Sequence, residues 1–385
     1  MHPTQGQIED LLARTNNAMW IQTVQDQQDK IVEGHVEAIM ARAGLSNERG
    51  RIRAGDANPF RGLSLMNMAR ASLERAGVRT EGMHQLQVVS AALSQGTSDF
   101  PVILENAMHK TVQNAYALAP DTWSKWARKG TVSDFRAHPR YRLGGLGNLD
   151  SLNELGEFKN KPMPDGEKSS ITAGTKGNIV GISRQAIIND DLQGFSDLGA
   201  AMGRAAKRTV EVDAYALLLS NPVLSDGIAL FHASHGNLPT AAAPSVTSVD
   251  AARAAMAIQK DVGLNDYLDL RPSIALSPIS LGGTLRVINA SEYDPDTANK
   301  LQRMNMVMNL FSDVVDTPRL TGTGWYVFAD PNSAPVFEVA FLNGNDVPYL
   351  EMQNGFVNDG VSWKVRHDYG VAAIDYRGAV FNAGA

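Results

Sequence analysis

Between Asp190 and Ser220, Phe195, Leu198, Met202, Ala205, Thr209, Val212, Ala216 and Leu219 recur at alternating spacings of three and four. That spacing places them along one side of a helix with 3.6 residues per turn. A helix over this stretch is about 45 Å long at 1.5 Å per residue. Asp190 and Asp191 suit its positive N-terminus, and Asn221-Pro222 stops it. The stripe is expected to face the chain's own sheet. Arg204, Lys207, Arg208 and Glu211 mostly fall beside or opposite it, where water or another chain could meet them.

The rest of the chain divides by the same criterion. Residues 4–43 give two polar, weakly amphipathic helices, with Gly34 interrupting the set Ile31, Val32, His35 and Ile39. So thin a stripe is expected to pack on another chain or stay mobile. Residues 45–59, rich in Gly, Arg, Asn and Asp, look like a linker. A helix over 63–76 presents Leu65, Met66, Ala69, Leu73 and Ala76, with Gly77 as its C-cap. Another starts at Ser98 or Asp99 ahead of Pro101 and runs towards Tyr116. Residues 131–188 read as strand–turn–strand with an exposed, charged tip, and a ribbon of two strands has no core of its own.

Beyond the long helix, Asp226-Gly227 marks a turn, 240–248 a loop, and Ser248 caps a helix over 251–261. Pro272 to Leu276 is a buried strand ended by Pro278, followed by helices over 280–288 and 295–311. Met304, Met306 and Met308 in the latter read as core filling. The remainder is mainly β. Val361, Trp363, Val365, His367 and Tyr369 alternate with polar residues as a half-buried strand, which Gly370 breaks. The sum is an α+β chain with a projecting hairpin.

Composition narrows the function. The 385 residues include no Cys, which excludes disulfides, thiolate catalysis and Cys-ligated zinc. A net charge of −6 argues against a general nucleic-acid binder. No apolar run approaches the ~18 residues of a membrane span, and the N-terminus lacks the pattern of a signal peptide. A soluble intracellular protein is expected. His232 and His235 form the best metal-binding pair, with Asp226 as the nearby acid; hydrogen-bonded loop histidines are the simpler reading. Ser234 and His235 sit in no nucleophile elbow. Gly144-Gly145-Leu146-Gly147 lacks the dinucleotide spacing, and Gly166-Glu167-Lys168-Ser169 lacks the phosphate-loop pattern. Neither catalytic residues nor cofactors are expected.

Several phrases resemble a family. They are Asn58 to Leu65 (NPFRGLSL), Thr97 to Pro101 (TSDFP), Val132 to Arg142 (VSDFRAHPRYR), Leu155 to Lys161 (LGEFKNK), Ser183 to Asp191 (SRQAIINDD) and Leu230 to Leu238 (LFHASHGNL). In this order they are similar to major capsid proteins of tailed bacteriophages and prophages, in the subgroup often fused to a prohead protease. The resemblance covers about 58–385 and implies the Hong Kong 97-type capsid fold. Its parts would be an N-terminal arm at 58–130, an extended loop at 131–188, a peripheral domain with a spine helix at 189–235 and 356–385, and an axial domain at 236–355. Residues 1–57 would be a helical extension and linker.

The resemblance also implies a structural subunit, not an enzyme. Copies would associate as pentamers and hexamers into an icosahedral head around double-stranded DNA, inside a host bacterial cytoplasm. A scaffold or prohead protease, a portal and the packaged DNA would be partners, and a membrane would not. Candidate assembly contacts are Glu157, Phe158, Lys159 and Lys161 on the hairpin and Arg204, Lys207 and Arg208 on the long helix. Two other readings are a nanocompartment shell of the encapsulin kind and a metallohydrolase using His232 and His235.

Overall fold

A computed structural model describes residues 28–47, 50–55, 58–94, 98–142, 166–264, 266–295, 303–354 and 360–385. The chain forms two compact units. One comprises residues 1–119, 177–206 and 347–366, the other 120–176, 207–346 and 367–385. The mixed α+β class expected from the sequence is what the chain adopts.

The first unit is mostly helical. Helices at 28–42, Leu65–Arg75, Gln85–Ser94 and Phe100–Leu118 and the first half of Leu192–Ser220 share one apolar core with Leu350, Val361, Trp363 and Val365. Strand Tyr349–Asn354 pairs antiparallel with 361–366. The 63–76 expectation holds. Ser64 accepts from Asn67 N as N-cap, and Gly77 follows the last turn at φ 80°, a conformation open to glycine without strain. The Gln85–Ser94 helix escaped the sequence reading because only Val88, Val89, Ala92 and Leu93 are buried along it.

The helix at 28–42 differs from expectation. Val36, Ala38, Ile39 and Met40 are buried in the unit's own core. Gly34 does not interrupt it: a Cβ there would meet the Phe60 ring at 3.0 Å, so glycine is what lets Phe60 approach. Phe60 stacks on His35, with ring centroids 3.7 Å apart. Asn58 Nδ2 donates to Gly34 O (2.9 Å) and to Glu37 Oε2 (3.1 Å). The stretch read as a linker therefore clamps this helix, and Ala54 within it is buried.

Leu192–Ser220 spans 29 residues, as the pattern predicts, but its buried face is not the predicted stripe throughout. Phe195 and Met202 are buried, whereas Val212 is 44% exposed and Leu219 55%. Ser196, Gly199, Gly203, Val210, Ala214 and Leu218 are buried instead. A stripe spaced three and four repeats every 3.5 residues and drifts by about 20° per heptad around a straight helix of 3.6. Glycines mark the close approach. A Cβ on Gly203 would lie 2.4 Å from Val112 O, and one on Gly199 2.8 Å from Met108 Sδ.

The second unit carries two larger sheets and a two-stranded one, His138–Arg142 with Glu167–Ile171. In one of the larger sheets, strands run in the order Ala379–Asn382, Trp325–Ala329, Pro272–Pro278 and Asp313–Thr317; only the last pair is parallel. In the other, Phe337–Leu342 pairs antiparallel with residues 369–373 and parallel with Arg128–Val132. Trp126 lies buried between them in the core, against Tyr215, Phe328 and Phe337. Helices Val246–Ala257 and Ile279–Ala290 cover a further apolar cluster. Ser245, not Ser248, is the N-cap of the former, with Ser248 completing a capping box. Gly360–Ala373 is one continuous strand: Gly370 does not break it, but leaves room for Thr172 O, 2.2 Å from where a Cβ would stand. Residues 303–312 form turns and a bridge, not a helix, and the three methionines there are exposed.

Candidate assembly elements

Within the stretch expected to form a hairpin, the structure describes two paired strands. His138–Arg142 pairs antiparallel with Glu167–Ile171, while the tip residues Glu157, Phe158, Lys159 and Lys161 lie outside the described residues, as does Gly144 to Gly147. What the structure adds is its root. Arg377, buried in the second unit, donates from Nη1 to Glu167 Oε2 (2.7 Å) and from Nη2 to Glu167 Oε1 (2.8 Å). Its Nε donates to Lys260 O (2.7 Å) and its Nη1 also to Asp375 Oδ1 (3.0 Å). Arg142 forms an ion pair with the same Asp375. On the same strand as Arg142, Arg140 Nε donates to Glu338 Oε1 (2.9 Å) and Nη2 to Thr131 O (3.0 Å). Glu338 is buried, and Gly130 beside it leaves the space its carboxylate fills.

These charges are electrostatically coupled. The bidentate Arg377 contact holds the Glu167 carboxyl below its ordinary range, despite partial burial. Burial and the neighbouring Arg377 guanidinium bring Arg142 down to about 10. A charged pair inside a protein needs close geometry and further hydrogen bonds to offset desolvation, and Arg377 has both. The hairpin is thus fixed at its base by its own chain, although the bare ribbon pattern gives it no support. Sequence reasoning missed Arg140, Arg142, Glu338, Asp375 and Arg377. The available signal was charge inside otherwise apolar stretches: Glu338 within Val336 to Leu342, and Asp375-Tyr376-Arg377 between Val371 and Val380.

The histidine pair resolves into the same region. His235 is buried, with Nδ1 at 3.0 Å from Leu230 O and Nε2 at 2.7 Å from Asp226 Oδ2. Its ring stacks on Tyr376 at 3.8 Å with planes 4° apart, and Arg377 lies over the other partner of that stack, 4.5 Å from the Tyr376 ring. Burial works against the Asp226 carboxylate, but hydrogen bonds from Ile228 N and His235 hold it below its ordinary value. Both His235 nitrogens face oxygen partners, and His232 Nδ1 accepts from Ser234 N (3.1 Å). Both ring nitrogens of His235 and Nδ1 of His232 are thus held by partners within the same loop. Among the described residues no group of three His, Asp or Glu is placed to hold a metal.

The long helix divides its polar residues. Arg204 and Arg208 are exposed, as expected. Lys207 instead reaches Asp121 at 3.5 Å within its own unit. Glu211, expected outside, is buried, accepts from Thr122 Oγ1 (2.6 Å) and lies 3.7 Å from Arg319 Nε. The 3.6-residue repeat that moves Val212 outwards carries Glu211 inwards.

A family model described as phage capsid protein matches residues 166–382, more than half of the chain. The chain belongs to the phage capsid protein family. It is therefore a structural subunit of a phage head shell, in line with the sequence reading. No curated protein matches it. Solved structures similar to this capsid subunit include one from Microbacterium phage Oxtober96, at 9% identity, TM-score 0.48, 69% of this chain and 92% of that one. The capsid of Cyanophage P-SCSP1u is 11% identical with TM-score 0.47, over 69% and 89% of the two chains. A virus-like particle from Pyrococcus furiosus is 12% identical with TM-score 0.42, over 72% and 98%. At these scores the family match carries the assignment. The match begins at Gly166, on the second side of the hairpin, and takes in its root partners Glu338, Asp375 and Arg377.

Proposed function

We propose that this subunit closes with copies of itself, as pentamers and hexamers, into an icosahedral head of the Hong Kong 97 type that encloses double-stranded DNA. Assembly takes place in the host bacterial cytoplasm, with a scaffold or prohead protease and a portal as partners, and the chain does no catalysis. The match to the phage capsid protein family is the observation that carries this reading. Three features support it. The hairpin strands 138–142 and 167–171 are held at their root by buried charges of the same unit. His232 and His235 are committed to hydrogen bonds within their loop. No helix among the described residues is long and apolar enough to cross a membrane.

Within that proposal, 58–130 forms the arm, 131–188 the extended loop, 189–235 with 356–385 the peripheral domain, and 236–355 the axial domain. Glu157, Phe158, Lys159 and Lys161 meet the neighbouring subunit, and Arg204 and Arg208 present charge on the spine helix. Sedimentation of the purified full chain tests the reading. Particles of shell size are expected, and a strict monomer at high concentration would end it. Nucleic acid recovered from particles purified from the host distinguishes a head from a nanocompartment, which would carry protein cargo instead.

A further inference from the structure

The methionine run at Met304, Met306 and Met308 does something other than fill a core. Residues 303–309 run beside 288–294. Tyr293 and Met304 form an antiparallel bridge, and Asn305 N donates to Glu292 O (2.9 Å). Asn305 Nδ2 donates to Ile288 O (2.5 Å) and Ser291 O (2.9 Å), so the segment is pinned by one inward side chain. Asn305 and Val307 are buried, whereas Met304 is 76% exposed, Met306 72% and Met308 45%. Met304, Met306 and Met308 are thus apolar side chains that this segment turns to solvent, on either side of the buried Asn305 and Val307. Tyr293, the bridge partner of Met304, is also exposed, as is Val287 on the preceding helix. Single exposed apolar side chains need no explanation, but a contiguous group marks an interaction site.

We propose that the face formed by Tyr293, Met304, Met306 and Met308 is a contact surface between copies of this chain. The inference rests on the reading of the protein as a self-assembling shell subunit, which makes a second copy the partner every subunit meets. The surrounding charge also argues against packaged nucleic acid as the occupant: Glu292 and Asp294 flank the face, with Arg303 the one cation between Glu292 and Met308 among the described residues. The residue type fits the task. A shell with both five- and six-membered rings requires the same surface to meet its neighbour at more than one angle. Methionine, unbranched and with three rotatable bonds, repacks against such variation where Leu or Ile would fix one geometry.

Limited oxidation of the full chain with hydrogen peroxide, read by mass spectrometry, tests this. Met304 and Met306 are expected to oxidise readily in the dilute free protomer and about tenfold or more slowly in assembled particles, with the buried Met68 slow in both. Equal rates in protomer and particle would overturn the proposal. So would protection already present in the protomer, because the chain would then cover the face itself. In a second arm, the paired substitutions Met304→Glu and Met306→Glu are expected to leave the protomer folded by circular dichroism and to weaken assembly at least about tenfold. Normal assembly of that variant would also overturn it. The shell reading fails separately: protection within a small closed oligomer supports this contact but not a shell, and a strict monomer with oxidisable methionines sinks both.

Discussion

The hairpin root and the methionine face invert the usual placement of residues in opposite senses. At the root, Arg377, Asp375 and Glu338 are buried among apolar strands. On the face, Met304 and Met306 stand in water. The root obtains its partners from the same chain, through the bidentate Arg377–Glu167 contact and the Arg140–Glu338 pair. The face has no such cover among the described residues. Burying charge costs free energy unless geometry restores it, and what the geometry provides here is direction, because a guanidinium fork accepts one carboxylate orientation. Exposed apolar area carries a hydration cost that is relieved when a partner removes it from water.

The strongest way to break the contrast is to remove the buried arginine. Arg377→Met leaves Asp375 buried with a diminished set of partners and frees Glu167, and is expected to cost about 3–5 kcal/mol of protomer stability in urea unfolding. A loss below 1 kcal/mol would make the root ornamental. At the other strand the effect should depend on which partner remains. Arg140→Met alone strands the Glu338 carboxylate and should cost about 2–3 kcal/mol. Arg140→Met with Glu338→Met should recover most of that loss. Strict additivity in this double-mutant cycle would show that the two side chains do not act as a pair.

Acid sharpens the comparison, because it reaches charges and not thioethers. Glu167 has a folded pKa below its unfolded value, so its contribution is complete above the ordinary carboxylate range and is lost as pH falls through the folded value. Hydrogen exchange across 138–142 and 167–171 should rise there. His367 adds a second window. Burial lowers it to about 4, while its ring stays stacked on Phe341 and hydrogen-bonded to Asp346 O. Its folded pKa lies below the unfolded value near 6.5, so protonation favours the unfolded chain. Stability should decline between about pH 6.5 and pH 4, by at most about 3 kcal/mol. His367→Gln should remove that part of the decline; an unchanged pH profile would exclude His367 as its source. The smallest effect belongs to the face: Met304→Gln should change protomer stability by less than about 0.5 kcal/mol.

Periodicity carried much of the fold. The Leu65–Arg75 and Leu192–Ser220 helices and the alternation of residues 361–369 are all visible in it. It failed where one residue type serves an unusual end. Gly34 reads as a helix breaker but is the gap that admits Phe60, and Gly370 reads as a strand end but is the gap that admits Thr172 O. Glu211 reads as solvated because a stripe of 3.5 residues was extrapolated along a helix of 3.6. The methionines read as core because hydrophobicity alone does not state which side of the chain faces inwards. The pairing of 138–142 with 167–171 follows from the strand–turn–strand pattern, but its root was not legible: Glu167 meets Arg377 across 210 positions, and no local pattern reports such a pairing.

Cryo-electron microscopy of particles formed by the purified full chain tests most directly the claim that charges are settled within a subunit and apolar surface between subunits. The account predicts closed shells in which Arg377–Glu167 and Arg140–Glu338 pair within each subunit, while Tyr293, Met304 and Met306 lie against a neighbouring copy. Shells with that face open to solvent, or with the root charges paired across subunits, would contradict it.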